Sequence, residues 1–214
     1  MSAEKKMSPE KKKTKTLQTR LANILANPGC NDFILADAKD ADMAFGLSCT
    51  GPQVDGVQPT LASYRQKIRD VVDQALVDIV IMSASNCEIL AQEENIYKGS
   101  TITPAARAND TTDIWCARGS NYTESPSRPF RTASLSHVLN GNRNVSKHKH
   151  FTGADLGLYS MTFNNDLEAD YASLEAFKDF RHEAEKKEFR YFLEVFAPNM
   201  PNAVAPELVG DFIN

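Results

Sequence analysis

The sequence predicts an α/β domain built on a parallel β-sheet. Three observations support this class: short apolar or β-branched segments typical of buried strands, longer segments with helical periodicity, and the alternation of the two along the chain. The length of 214 residues suits one core, and the 42% hydrophobic and 24% charged content is that of an ordinary globular protein.

The first third of the chain predicts a helix, a strand and a second helix. Residues 16–27 place apolar side chains at helical spacing and end at Pro28 and Gly29, which do not continue a helix. Residues 33–36 are apolar and predict strand one, followed by a polar segment. Residues 60–76 carry one apolar stripe and predict an amphipathic helix.

Four further strands follow. Residues 77–82 are rich in β-branched side chains and predict strand two, and the spacing at 85–88 predicts a capped helix after it. Residues 112–118 predict strand three. Residues 153–163 and 190–196 predict strands four and five.

The connections between these strands differ in length. Residues 119–152 predict a long polar loop with a short helix at 135–139, and loops of this length inside domains are usually functional or disordered. Asn164 to Asp166 cap a long helix after strand four. A last helix is predicted at 206–213. The expected core face of the long helix consists of Leu167, Tyr171, Leu174, Phe177, Phe180 and Ala184.

Two architectures fit this alternation, an open doubly wound sheet and a (β/α)8 barrel. No G-x-G-x-x-G follows a strand, and the strand ends carry Asp37, Lys39, Arg118 and Glu194, where barrels keep their chemistry. Because five strands are counted, we predict a partial (β/α)8 TIM barrel with parallel strands over residues 16–214.

The charge is unevenly distributed. Residues 1–15 carry six lysines and two glutamates, a net charge of +4, so the remaining chain carries −8 of the total of −4. We predict a disordered basic tail over residues 1–15. The acidic body argues against nucleic-acid binding, and the apolar runs are too short to span a bilayer.

The cysteines and the first residues predict a cytoplasmic protein. Cys30, Cys49, Cys87 and Cys116 stand at wide intervals without the spacing of a zinc or redox motif, which fits reduced thiols. The N-terminal segment lacks the apolar core of a secretory signal.

One stretch resembles a known family. Gly153 to Asp155, the apolar strand, the capped helix and Phe192 to Val195 are similar to class I (Schiff-base) aldolases. The likeness is to the tagatose-bisphosphate and archaeal-type fructose-bisphosphate aldolases, which are (β/α)8 barrels, and more loosely to deoxyribose-phosphate aldolase. It covers about residues 30–214 and is most specific over 153–199.

The resemblance implies a carbon–carbon lyase acting on a phosphorylated sugar or a related carbonyl compound. Glu194 matches the strand-five carboxylate that acts as acid or base, and Asp37 matches the aspartate that ends strand one, with Lys39 or Asp40 as the alternative inward residue. The Schiff-base lysine is expected beyond residue 214, so this chain alone is expected to be inactive. Such chemistry uses no metal or organic cofactor, because the iminium is the electron sink.

Four residues are candidates for substrate binding. Arg118 lies at the end of a predicted strand, and its guanidinium suits a phosphate group. Asn86, Tyr159 and Asn164 offer hydrogen bonds to substrate hydroxyls. Helix capping is the competing role for Asn86, and core packing is the competing role for Tyr159. No metal site is predicted.

Two alternatives to the lyase stay open. One is a non-catalytic aldolase-like fragment that serves as a binding or interaction module. The other is a barrel isomerase or epimerase acting on a sugar phosphate with carboxylates and no imine. An open five-stranded sheet exposes an edge, which invites a homo-oligomer or a complementing chain that carries the remaining strands.

Overall fold

The computed structural model describes residues 13–43, 46–47, 55–110, 124–141 and 152–214. Five parallel strands form one curled sheet in the order β1-β2-β3-β4-β5, so each strand pairs with its neighbour in sequence. This half-barrel confirms the α/β class and agrees with a partial barrel. The strands are β1 (Ala36–Lys39), β2 (Ile79–Met82), β3 (Thr103–Arg107), β4 (Leu156–Thr162) and β5 (Arg190–Phe196).

Helices connect the strands and flank the sheet, and most of them confirm the predicted segments. The α-helices are α1 (Thr16–Ala26), α2 (Leu61–Gln74), α3 (Ala84–Cys87), α4 (Leu135–Asn140), α5 (Leu167–Lys186) and α6 (Val209–Ile213). A π-helical stretch, Glu88–Glu93, continues α3, and a 3-10 turn, Pro206–Leu208, precedes α6. No helix within the described part of the chain is both long and apolar enough to cross a membrane.

Capping side chains fix where two of these helices begin. The Thr60 hydroxyl accepts a hydrogen bond from the Ser63 amide, and the Ser63 hydroxyl accepts one from the Thr60 amide, so α2 starts with a reciprocal capping box. The predicted cap at 85–88 is displaced. Ser83 caps α3 instead, accepting a hydrogen bond from the Asn86 amide at 3.2 Å.

Two strand predictions differ from the structure. Strand one was expected at 33–36, but β1 begins at Ala36 and runs through the segment expected to be a polar turn. β3 lies at Thr103–Arg107, a segment (TPAAR) with one proline and two alanines, which are weak strand formers. The segment predicted as strand three, 112–118, lies outside the described residues.

The sheet separates two apolar clusters. The larger one fills the space between the sheet and the helices, and it includes Val80 and Met82 of β2 and Tyr159 of β4. The smaller one lies on the concave face. It is formed by Leu17 of α1 with Ile79, Ile81, Ala105, Leu156 and Leu158, and Phe192 of β5 packs against it. Side chains of β2, β3 and β4 therefore divide between the two clusters according to the two faces of the sheet, as the pleat requires.

Helix α1 closes the amino end of the curled sheet. Leu17 is 3% exposed in the concave cluster, and the Thr16 amide donates a hydrogen bond to the Thr101 carbonyl at 3.0 Å. The Lys15 ammonium donates to the carbonyls of Ser100 and Ile102 at 2.9 and 2.7 Å. Lys15, the last residue of the predicted basic tail, is thus held by three carbonyl oxygens, and the disorder of the tail stays a prediction. Residues 1–12 lie outside the described residues.

Asp78 ties α1 to the sheet at the same end. Its carboxylate is 2% exposed and accepts hydrogen bonds from Arg20 Nε at 2.8 Å and from the Leu35 amide at 2.9 Å. Burial alone raises the pKa of Asp78, but hydrogen bonds from Leu35, Thr16 and Arg20 outweigh it and hold that pKa below its usual value. The ionised carboxylate is thus the favoured form in the folded protein.

Candidate active site at the carboxyl ends of the strands

The register of β4 and β5 determines which side chains share the concave face. Leu158 pairs with Phe192, and both belong to the concave apolar cluster. Two residues further along, Ser160 pairs with Glu194. Since every second residue of a strand shares a face, Ser160 and Glu194 lie on the concave face beyond the apolar cluster, toward the carboxyl ends of the strands.

Glu194 is half-buried and hydrogen-bonded in this position. The Ser160 hydroxyl donates to Glu194 Oε2 at 2.8 Å. The backbone of Ser160 is held on both sides by one amide side chain: the Ser160 N–H donates to Asn109 Oδ1 at 2.7 Å, and Asn109 Nδ2 donates to the Ser160 carbonyl at 2.8 Å. Ser160 and Asn109 are 2% and 1% exposed, so the donor that orients Glu194 is rigidly positioned.

A buried ion pair links the ends of β1 and β3. Arg107 is the last residue of β3, and its Nη1 donates to Asp40 Oδ2 directly after β1. Asp40 is 7% exposed and Arg107 is 5% exposed. Because each charge is nearly removed from water, removal of one partner leaves a costly unpaired charge. The ion pair connects the ends of β1 and β3, which lie on either side of β2 in the sheet.

A second polar group joins the ends of β1 and β2. The Ser83 hydroxyl donates to Asp42 Oδ2 at 2.6 Å, and Asn86 Nδ2 donates to the same oxygen at 3.2 Å. Arg65 Nε of α2 donates to Asn86 Oδ1 at 2.9 Å. Burial raises the pKa of the Asp42 carboxyl above its usual value, although the hydrogen bond from Ser83 opposes the shift.

The structure places Asp37 and Lys39 away from this site. They pair with Val80 and Met82, whose side chains belong to the cluster under the helices, and they form an ion pair with each other. Asp37 and Lys39 therefore face the helices and not the concave face, while their catalytic roles stay predictions. Of the polar residues near β1, Asp40 is the one that reaches the end of β3.

The predicted substrate-binding residues occupy separate places. Asn86 is fully buried in the group around Asp42. Tyr159 is 1% exposed and faces the helices, with its ring 5.0 Å from Phe177 and 4.6 Å from that of Phe180, so it is a core residue. Arg118 lies outside the described residues.

Asn164 fastens the segment after β5 to the end of β4. Its Oδ1 accepts from the Met200 amide at 2.9 Å, and its Nδ2 donates to Asn199 Oδ1 at 2.7 Å. Asn199 in turn accepts from the Ser127 amide at 3.0 Å. Asn164 therefore shapes the rim of the site, and its contact with a substrate stays a prediction.

A small cleft opens beside the end of β4. It is shallow, has room for about one water molecule, and is bordered by the exposed Arg128. The other lining residues are Asn109, Asp110, Ser127, Pro129, Ser160, Met161, Thr162 and Ser173. Most of them carry hydroxyl, amide or carboxyl groups, so the cleft is polar. In the described part of the chain, no three His, Cys, Asp or Glu side chains are grouped to hold a metal ion.

Glu194 stays a predicted site residue, and the sequence did not indicate the residues around it. Arg107 was overlooked because β3 was not assigned, although an arginine at the end of a strand is a recognisable feature. Ser160 was hidden inside an apolar strand, and only its two-residue spacing from Leu158 and Thr162 indicates a polar step on one face. No sequence pattern indicates Asn109, because its role is to form hydrogen bonds with the backbone of Ser160 in the neighbouring strand β4.

The fold and the site define an α/β half-barrel with a polar carboxyl-terminal edge. No family model matches the chain, and neither a curated protein nor a solved structure matches it. The likeness to class I aldolases therefore rests on the residues quoted above.

Proposed function

We propose that the concave face binds a small phosphorylated sugar or related carbonyl compound at the carboxyl ends of the strands. Glu194 acts there as the acid or base of a carbon–carbon lyase of the class I aldolase type. The observation that carries the proposal is the hydrogen bond from Ser160 to Glu194 on this face. It holds a half-buried carboxylate where barrel enzymes keep their reactive groups.

The site supports a proton transfer by Glu194. Oε2 accepts the Ser160 hydrogen bond, so the other carboxylate oxygen is the one to take the proton of a substrate hydroxyl. Loss of that proton lets the hydroxyl carbon become a carbonyl as its bond to the next carbon breaks, and the bond's electrons pass to the second carbon. In the aldolases, a lysine iminium accepts those electrons, and that lysine is expected here beyond residue 214.

A second candidate is a sugar-phosphate isomerase or epimerase. The described strands carry lysine only at Lys39, which lies on the helix-facing side. An isomerase moves a proton between carbons next to a carbonyl with a carboxylate base and needs no imine. Glu194 serves this chemistry equally well.

The test uses a chain extended beyond residue 214, where the lysine of the lyase is expected, with dihydroxyacetone phosphate in D₂O. Exchange of the hydrogens beside the carbonyl, followed by NMR, reports a working base. Borohydride reduction followed by mass spectrometry reports an imine. Exchange with a trapped adduct supports the lyase, exchange without an adduct supports the isomerase, and neither result supports a non-catalytic module.

Glu194→Gln is the matched variant for this assay. It keeps the shape of the side chain and an oxygen for Ser160 but removes the base, so the exchange rate is expected to fall about 10²- to 10⁴-fold. Glu185→Gln is the control, because Glu185 is exposed on α5, away from the strands. Equal rates in both variants would exclude Glu194 as the base.

A further inference from the structure

Three backbone carbonyl groups converge on one ammonium group at the amino end of the sheet. The donor is Nζ of Lys15, directly before α1. Its distances to the carbonyl oxygens of Ile102, Ser100 and Tyr97 are 2.7, 2.9 and 3.4 Å. An ammonium group has three N–H donors and no acceptor, so its donors match these acceptors in number. We refer to the three carbonyl groups as the carbonyl cage.

The carbonyl cage is part of a short turn that is anchored at both ends. Tyr97 is 7% exposed in the larger apolar cluster, and its hydroxyl donates to Met82 Sδ at 3.4 Å. Ile102 is fully buried and directly precedes β3. Between them, the Ser100 amide donates to the Tyr97 carbonyl at 3.2 Å, and the Ile102 amide donates to the Ser100 hydroxyl at 3.1 Å. Because none of these contacts involves Lys15, we expect the cage to keep its form without that side chain.

The surroundings of the carbonyl cage favour a positive charge. Each carbonyl oxygen is the negative end of a peptide dipole. The Thr103 amide, next to Ile102, donates to the backbone carbonyl of Asp78 at 2.9 Å. The carboxylate of the same Asp78 is buried and accepts from Arg20 of α1. The part of the sheet that faces α1 thus presents oxygen acceptors and takes up positively charged side chains.

The oxygen atoms of the cage suit an ammonium group better than a divalent metal ion. Ca²⁺ and Mg²⁺ are bound at about 2.0–2.6 Å, usually by oxygen sets that include carboxylates. The cage consists of neutral carbonyl groups, and its two shortest distances, 2.7 and 2.9 Å, are those of N–H···O hydrogen bonds. The chemistry is therefore that of hydrogen bonding to a monovalent cation that carries N–H groups.

Helix α1 depends on this contact because little else fastens it. Leu17 is the single buried side chain among the eleven residues of the helix, and Lys15, at the N-cap position, makes no side-chain cap. Helices in proteins are held mainly by the packing of an apolar face, and one buried leucine provides little of it. Occupation of the cage by an ammonium group therefore contributes to the docking of α1.

We propose that the carbonyl cage is a binding site for an ammonium group. Lys15 fills the site in this chain, and a free ammonium ion takes the place of its side chain when that side chain is removed. The site is independent of the proposed lyase chemistry, because it lies at the opposite end of the strands from Glu194.

The experiment removes the ammonium group of the side chain and supplies a free one. Lys15→Ala empties the carbonyl cage and should raise the unfolding equilibrium constant of the 214-residue chain about tenfold or more in urea, because charged hydrogen bonds are lost. Ammonium chloride at about 0.3 M is then expected to lower that constant about fivefold or more relative to tetramethylammonium chloride at the same concentration. Tetramethylammonium has the same charge but no N–H donor.

Two further variants are the controls. Lys13→Ala removes an exposed lysine two residues earlier and should change neither the stability nor the response to ammonium. Lys15→Met lacks the charge, but its side chain still occupies the space in front of the cage, so it should lose stability without a response to ammonium. Equal effects of the two salts on Lys15→Ala overturn the proposal, and so does an equal response of Lys15→Met. Unchanged stability of Lys15→Ala overturns it as well.

Cleavage by trypsin after Arg20 measures the docking of α1 without urea. Arg20 pairs with Asp78 in the docked helix, so cleavage requires α1 to leave the sheet. Lys15→Ala should be cut about fivefold or more slowly in ammonium chloride than in tetramethylammonium chloride, whereas the wild-type rates should agree in the two salts. This measurement also serves if Lys15→Ala is too unstable for a urea curve. A cleavage rate that ammonium does not lower overturns the proposal.

Discussion

The amino and carboxyl ends of the curled sheet are built differently. At the amino end, α1 inserts Leu17 into the concave cluster, and Lys15 and Arg20 satisfy carbonyl and carboxylate oxygens there. At the carboxyl end, hydrogen-bonded polar side chains join the ends of the strands. The difference shows that one end is closed by apolar packing, whereas the other is lined with polar groups, where we propose that a ligand binds.

The largest expected effect comes from the ion pair at the carboxyl end. Arg107→Met leaves Asp40 buried without its partner and should lower the free energy of unfolding by about 3–5 kcal/mol, measured by urea denaturation. Adding Asp40→Leu removes the remaining charge and should restore most of the loss. If Arg107→Met alone changes stability by under about 1 kcal/mol, the pair does not hold β1 and β3 together.

Removal of the apolar contact at the amino end should come next. Leu17→Ala opens a cavity in the concave cluster and is expected to cost about 2–4 kcal/mol in the same denaturation assay. Leu25→Ala on the same helix removes an exposed side chain and should cost about 0.5 kcal/mol or less. Equal losses for the two variants would mean that α1 does not close this end.

Asp78 makes the stability of the amino end depend on pH. Its pKa is lowered in the folded protein, so its ionised form adds stability above the unfolded pKa of about 3.9, and this contribution disappears as the pH falls through the lower folded pKa. Asp78→Asn should therefore cost about 1–3 kcal/mol at pH 7 and progressively less below about pH 4. Urea curves at several pH values measure the difference, and a loss that does not vary with pH contradicts it.

The smallest effect on stability is expected at Glu194. Glu194→Gln retains an oxygen that accepts from Ser160, so the free energy of unfolding should change by less than about 1 kcal/mol. The same substitution is expected to abolish most proton exchange on the substrate. A large loss of stability would place Glu194 among the structural pairs, together with Asp40, and remove it from the reactive site.

The features that the sequence predicted best are those encoded over a few neighbouring residues. β5 was predicted with its observed bounds because RYFLEVF is a continuous run of aromatic and apolar side chains around one glutamate. The helices α1, α2 and α5 have clear periodicity, and α2 and α5 begin at a side-chain cap. These are local properties, so one chain segment suffices to show them.

The features that were missed depend on contacts between distant segments. Asp40 and Arg107 are 67 residues apart, and Asn109 and Ser160 are 51 residues apart. Strand one was misplaced because the apolar run Phe33 to Leu35 has the composition of a buried strand but lies at an exposed edge. Only the pairing of β1 with β2 shows that Asp37 and Lys39 turn toward the helices.

The closure of the amino end by α1 has a consequence for the order of assembly. α1 is made before β3 and β4, yet Lys15 and Thr16 bind carbonyls near residue 101, and Leu17 shares its cluster with Leu156 and Leu158. Contacts this distant along the chain are slow to form. The first helix must therefore wait, undocked, until β4 has been synthesised. Until then Leu17 lacks its partners in the concave cluster and is an apolar side chain open to non-native contacts.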